Sequence, residues 1–257
     1  MKQFGIQMWT VRDLLTTEED FSATVKSMAE MGYKEAHTGG CRIDPKRYVE
    51  ILKENGMTIC GTHYPLSKIM DDIEGTIAHH RLWETTNIGI GALDEPERTD
   101  LTKLKAFIKK YNELAKIYAA EGFKLTYHNH AFEFNRIDGK KTVMDILYEE
   151  LDPHNISFVL DTCWVQVGGA DVRYWIEKLA GRLDILHLKD CMAVRDESGR
   201  QVQDVTEIGN GNLWIEGIIE SAEKAGVKHY IVEQDTCPGN PLDSIRQSAD
   251  SLKKLIK

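Results

Sequence analysis

Six short runs of this chain stop on a residue that can bind a proton or a metal ion. His37 follows YKEA, His63 follows ICGT, His128 follows KLTY, Asp161 follows SFVL, His187 follows LDIL and Glu233 follows HYIV. A lone histidine is most often an ordinary hydrogen-bonded residue. Several of them closing separate runs, in company with two carboxylates, point to a shared site if the runs end on the same side of a fold. Asp161, His187 and Glu233 form the most economical set, because two carboxylates and one imidazole suit a hard or borderline divalent cation. A fourth oxygen ligand would complete it. Glu133 is the candidate, since the turn from Ala131 can fold its carboxylate back over the site, and His128 competes for the same place. The plain structural alternatives are a buried ion pair of Asp161 or Glu233 with Lys189 or Lys228, and an exposed loop carboxylate at Glu133.

A cation held in this way leaves positions for two adjacent oxygens of a keto sugar or polyol. It would act as a Lewis acid, polarising a carbonyl and stabilising the enediolate formed when a base removes the neighbouring proton. His128, His130, Glu133 and Glu233 are candidate bases, and their residue types do not rank them. Lys189 can neutralise an oxyanion or pair with Asp190. Reprotonation from the other face gives epimerisation, transfer to the next carbon gives isomerisation, and loss of a β-hydroxyl gives dehydration. Gln7, Trp9, His37, His63 and Trp164 are the candidate substrate contacts. The rings of Trp9, Trp164 and Trp214 can cover the C–H face of a sugar or simply pack. Residues 190–212 read as an active-site lid or a surface hairpin, and Gly168 and Gly169 as a ligand approach or a turn.

These groups must be positioned by something, and the chain between them alternates short β-branched or aromatic runs with longer amphipathic stretches. Leu104, Phe107, Ile108, Tyr111, Leu114, Ala115 and Tyr118 fall on one helical face, with Lys103, Lys105, Lys109 and Lys110 elsewhere. Gly32, Gly56, Gly122, Gly181 and Gly226 each follow such a stretch, as helix-ending glycines do. Thr16 with Glu19 suits a capping box, and Asp44 before Pro45 suits a helix start. Strands are expected near 3–9, 33–37, 58–63, 86–91, 123–129, 156–161, 183–188 and 228–234. Eight βα units with no linker between them predict a single-domain (β/α)8 TIM barrel over residues 1–257. A doubly wound open sheet is disfavoured, because no GxGxxG or P-loop follows the first strand and polar residues cluster at most strand ends. In a barrel those ends share one face.

The 257 residues carry 32 Lys and Arg against 41 Asp and Glu, a net charge of −9, which opposes a broad phosphate-binding surface. Nucleic acid is therefore not an expected partner. Five widely spaced cysteines without a CxxC pair read as reduced, mostly buried thiols. The start MKQFGIQMW lacks an apolar leader core, and no uninterrupted apolar run exceeds Ile117 to Ala120. A cytoplasmic protein with no membrane contact is expected, with assembly as a homo-oligomer left open. Few basic residues beyond Arg12 and Lys189 lie near the strand ends, so the expected substrate is a non-phosphorylated carbohydrate.

The chain resembles the sugar phosphate isomerase/epimerase branch of the xylose-isomerase-like barrel superfamily. The resemblance rests on FGIQMWTVRD at the start, TYHNHAFEF at strand five, VLDTCWVQVGGAD at six, DILHLKD at seven, EIGNGNLW in the next loop and YIVEQD at eight. It implies a divalent metal at the barrel mouth, commonly Mn2+, with Co2+, Mg2+ or Zn2+ as substitutes, and Asp161, His187 and Glu233 match the family's ligands. It also implies a metal-dependent sugar isomerase or epimerase. The ketose 3-epimerases, however, carry a glutamate ligand at the end of strand five, where this chain has Tyr127-His128-Asn129-His130. They also place a histidine where this chain has Trp164. The YHNH run instead resembles the inosose dehydratase and ketosugar lyase branches, and a sugar-binding barrel without turnover is the third reading. Endonuclease IV, in the same superfamily, needs further histidines that are absent here.

Overall fold

The computed structural model describes residues 3–40 and 42–255, so Cys41 lies outside the described residues. Eight parallel strands close a barrel in chain order: β1 (Gly5–Gln7), β2 (Glu35–Thr38), β3 (Thr58–His63), β4 (Asn87–Ile90), β5 (Lys124–His128), β6 (Ile156–Asp161), β7 (Leu183–Leu188) and β8 (His229–Val232), with β8 paired to β1. The expected (β/α)8 barrel is the observed one. The first strand is shorter than its apolar run because the chain turns at once into a 3-10 helix, Met8–Leu14, whose start is capped by the Gln7 side chain accepting from the Trp9 amide at 3.4 Å.

The surrounding helices follow their apolar stripes. In Leu101–Ala120 the buried residues are the seven of the expected stripe, and Asp100 caps the first turn by accepting from the Thr102 and Lys103 amides. Asp44 caps Pro45–Glu54 as expected. The capping box at Thr16 does not form. The helix Glu18–Met31 starts one residue later than that motif requires, so Thr17 accepts from the Asp20 amide and the Thr16 hydroxyl donates to the Asp20 carboxylate at 2.7 Å. Gly32 and Gly226 end their helices at φ of 101° and 82°, a region costly for residues with a Cβ. Residues 190–212 are not a loose lid: Asp190–Arg195 and Gln201–Thr206 pair as an antiparallel hairpin.

Register sets what the barrel presents at its mouth. Asp161 on β6 lies opposite His187 on β7, and Ile231 on β8 lies opposite His187 on the other side. Because side chains alternate along a strand, Val159, Ile185 and Ile231 stand one layer beneath Asp161, His187 and Glu233. These three, with Cys60, form a buried apolar cluster inside the barrel. Burying a Val or Ile side chain contributes about 1.5–3 kcal/mol, so this layer is a rigid floor for the polar groups above it. Cys60, Cys163, Cys191 and Cys237 are free thiols. No helix among the described residues is long and apolar enough to cross a membrane.

Candidate active site at the barrel mouth

The carboxyl ends of five strands converge on one cavity of about 360 Å³, whose wall includes Gln7, His63, His128, His130, Lys189 and Glu233. Below its surface His128, Asp161, His187 and Glu233 each offer a ligand atom within 4.8 Å of the others, and all four are buried. The strands alone do not fix them. The Asn129 side-chain oxygen accepts from the Asp161 amide at 2.9 Å, tying the end of β5 to that of β6. The Thr162 hydroxyl donates to the Lys189 carbonyl at 2.7 Å and accepts from the Lys189 amide at 2.9 Å, tying β6 to β7. His187 Nδ1 lies 2.8 Å from Glu233 Oε2, which links β7 to β8.

At the centre of this group lies Lys189, 1% exposed, with its ammonium 3.0 Å from Asp161, 3.1 Å from Glu233 and 2.9 Å from Asp235. An unpaired buried ammonium would cost several kcal/mol. Burial works against its charge, but the three carboxylates outweigh it and hold its pKa above the ordinary lysine value. One ammonium does not satisfy the carboxylates equally. Burial pushes Asp161 well above the usual carboxylate range despite the pull of Lys189, whereas at Glu233 burial is outweighed by Lys189 and His187, which hold it well below. The mouth is short of positive charge.

Four imidazoles around the mouth meet that shortage only as neutral donors. Burial lowers His37 and His128 well below the usual histidine value, His63 to about 3 and His130 to about 4. At neutral pH such rings can coordinate a cation without first losing a proton. His128 Nδ1 and His187 Nε2 are buried with no hydrogen-bond partner, as are the Nε2 atoms of His37 and His63. Two imidazoles and two carboxylates, with orphaned ring nitrogens among them, fit a hard or borderline divalent ion such as Mn2+, Co2+ or Zn2+.

The structure separates the expected site residues into three groups and sets Glu133 apart from them. Asp161, His187 and Glu233 come together, and His128 joins them in the fourth place. Gln7, His37 and His63 form a second layer, with the Gln7 amide nitrogen 2.8 Å from His37 Nδ1 and 3.5 Å from His63 Nδ1. Trp164 lies beside His130 and Lys189, and Trp9 is half exposed on the rim beneath the Arg12 guanidinium. Glu133 does not fold over the mouth. Its carboxylate is taken up by the Tyr127 hydroxyl and the His130 amide, both donating at 2.7 Å, so it locks the turn Ala131–Phe134, and His128 rather than Glu133 stands in the four-residue group. Burial raises its pKa to about 7 against those two hydrogen bonds.

At Asp190, too, backbone amides compete for side-chain oxygens. Lys189 does not pair with Asp190, because the Asp190 carboxylate accepts from the Gly209, Gly211 and Leu213 amides and so closes the base of the hairpin. Lys228 pairs with Asp184 at 2.7 Å, away from Asp161 and Glu233. Trp214 lines a separate cavity with Arg173, and Gly168 is the close approach of a turn to the Phe134 ring, whose Cδ2 would lie 2.4 Å from an added Cβ. The residues that sequence reasoning missed are Asn129, Thr162 and Asp235. Asp235, two positions beyond Glu233, was the most findable, since a carboxylate at that spacing returns to the same face.

Residues 29–255 match the family described as xylose isomerase-like TIM barrel. An inosose dehydratase of Histophilus somni is 26% identical, over 91% of this chain and 90% of its own length. A sugar phosphate isomerase/epimerase structure from Parabacteroides distasonis superposes with a TM-score of 0.81 at 20% identity, covering 100% of both chains. That of a probable 3-DHS dehydratase from Bacillus anthracis superposes with a TM-score of 0.73 at 14% identity over 98% of each, and these two likenesses speak for the fold. By the family match and the closed barrel together, this chain belongs to the xylose isomerase-like TIM barrel family.

Proposed function

We propose that this protein is a divalent-metal-dependent carbohydrate lyase of the dehydratase type, which removes a proton next to the carbonyl of a keto sugar or inosose and expels a β-oxygen substituent. The observation that carries this reading is the end of β5. There His128, a neutral imidazole, stands in the four-residue group, where a two-carboxylate proton relay would need a second glutamate facing Glu233. Epimerisation requires proton delivery to the opposite face of the substrate, whereas elimination requires one base and a departing group. The lyase reading therefore moves ahead of the isomerase or epimerase reading that the family resemblance implies. The curated likeness to an inosose dehydratase supports the same order.

The roles of the chain's own groups follow from their positions. His130 faces the cavity with Nδ1 unpartnered and lies outside the four-residue group, so it takes the α-proton and returns it to the departing oxygen, which leaves as water or an alcohol. Lys189 faces the same cavity and donates to the developing oxyanion. A divalent ion, when bound by His128, Asp161, His187 and Glu233, supplies Lewis-acid polarisation of the carbonyl. Trp164 and Trp9 cover the C–H faces of the ring. The test is incubation of Mn2+-loaded protein with inososes and 3-keto-glucosides in heavy water, read by NMR. Elimination products are expected, with solvent deuterium entering the α-carbon of any returned substrate. Inverted or isomerised sugar without elimination would restore the epimerase or isomerase reading, and no exchange with any substrate would favour a binding protein.

A further inference from the structure

The opposite end of the barrel carries its own cluster of ligand-type side chains, unconnected with the proposed chemistry. Glu35 on β2, Cys60 on β3 and His229 on β8 each offer one ligand atom within 4.8 Å of the other two. Glu35 is only 5% exposed, and its Oε1 meets His229 Nδ1 at 2.9 Å while its Oε2 is buried without a partner. A buried carboxylate oxygen left unsatisfied is uncommon and asks for a partner. The nearby ammonium groups do not supply one, because Lys124 and Lys228 are both spent on Asp184 at 2.9 and 2.7 Å. The arrangement also depends on a gap in the wall. Gly5 of β1 lies between Glu35 and Ile231 in the register, and a Cβ there would lie 2.5 Å from the Glu35 carbonyl and 2.8 Å from its Cβ.

We propose that this cluster is a second metal site, structural in role, for a borderline divalent ion, zinc(II) by preference. Thiolate, imidazole and carboxylate are the three donor types zinc combines, at about 2.3, 2.0 and 2.1 Å. Tetrahedral geometry then asks for ligand separations of roughly 3.3–3.6 Å, between the 2.9 Å of Glu35 Oε1 to His229 Nδ1 and the 4.8 Å that bounds the set, so binding needs small torsional shifts of the Glu35, Cys60 and His229 side chains. Coordination releases the Cys60 thiol proton to water, so Zn2+, thiolate and carboxylate sum to zero charge inside the barrel. The cavity of about 430 Å³ at the base, lined by His229, Asn87 and Asp184, gives the ion a way in and a place for water as fourth ligand. With ligands from β2, β3 and β8, the ion would staple the barrel across its three-residue first strand.

The experiment is a cobalt(II) titration of the metal-stripped full-length chain, followed by absorption and thermal melting. Only a site with a cysteine gives a thiolate-to-cobalt charge-transfer band in the near ultraviolet, and the mouth group has none. The expected result is such a band with a rise in Tm, retained in Asp161→Asn, lost in Cys60→Ser and weakened at least about 10-fold in metal affinity in His229→Gln. Absence of the band from the wild-type chain overturns the proposal, as does a band that persists in Cys60→Ser. Should Cys60→Ser fail to fold, His229→Gln decides alone, and wild-type affinity there overturns the site.

Discussion

The two ends of the barrel treat buried charge in opposite ways. At the mouth one ammonium, Lys189 at 1% exposure, faces Asp161, Glu233 and Asp235. On the base one carboxylate, Asp184, faces two ammonium groups, Lys124 and Lys228, whose side chains are 37% and 63% exposed. Asp184 is held below its ordinary pKa because the two lysines outweigh its burial, an arrangement that water and salt can also satisfy. The mouth has no such outlet, and a fold would not keep three carboxylates around one buried ammonium for stability alone. The difference teaches where this chain gives up stability for chemistry. It gives it up at the mouth, as an excess of negative charge around Lys189 that the proposed cation would complete.

The sharpest way to break that comparison is Glu233→Gln. The amide keeps the size of the side chain but removes the charge that touches both His187 and Lys189. Turnover should fall by at least about 100-fold, since losing even an outer partner of a metal ligand costs about 10–100-fold. Circular dichroism should stay unchanged. Loss of fold together with activity would instead make Glu233 a structural ion-pair residue. Next in size is Lys189→Met, which strands two buried carboxylates and should destabilise the metal-free protein by about 3–5 kcal/mol in denaturant. If the proposed divalent ion supplies the missing charge, added Mn2+ should raise the Tm of this variant more than that of the wild type. Equal shifts would mean that the ion does not sit with these carboxylates.

Most of this was legible in the residues, and the exceptions have a common physical origin. The barrel could be read because each element follows its own local period, as in the seven-residue stripe of Leu101–Ala120, and because the barrel requires strand ends to share a face. Asp161 and His187 could be placed for the same reason, being register partners at the ends of β6 and β7. Glu133 was misjudged because its destination is set by one hydroxyl and one amide, from Tyr127 and His130, that no periodicity announces. Asn129 and Thr162 escaped notice likewise, since their importance lies in backbone groups of another strand.

Glu133 offers a finer probe of the contrast, as a buried carboxyl whose Tyr127 and His130 donors are both neutral. Its pKa is raised from the ordinary 4.5 to about 7, chiefly by burial. Between those values the folded chain holds a proton that the unfolded chain has released, so stability is highest below about pH 4.5 and is lost as pH rises through 7. The full penalty is on the order of 3 kcal/mol. Glu133→Gln should flatten the fall in Tm between mildly acidic and mildly alkaline buffer. Parallel curves for the two proteins would show that Glu133 ionises as an ordinary carboxylate.

The smallest effect belongs to the base. Lys228→Ala removes an ion pair at 2.7 Å, shorter than any contact Lys189 makes at the mouth, and a reading by distance alone would rank it first. Exposure reverses the ranking. The Lys228 side chain is 63% exposed, so its attraction to Asp184 is screened by water and offset by the entropy of holding a long side chain. Asp184 also keeps Lys124 at 2.9 Å after the change. The expected loss is under about 1 kcal/mol in a denaturant titration, with turnover unchanged. It should shrink further in high salt, where an exposed pair is screened and the Lys189 cluster is not. A loss as large as that of Lys189→Met, insensitive to salt, would erase the distinction between the two ends of the barrel.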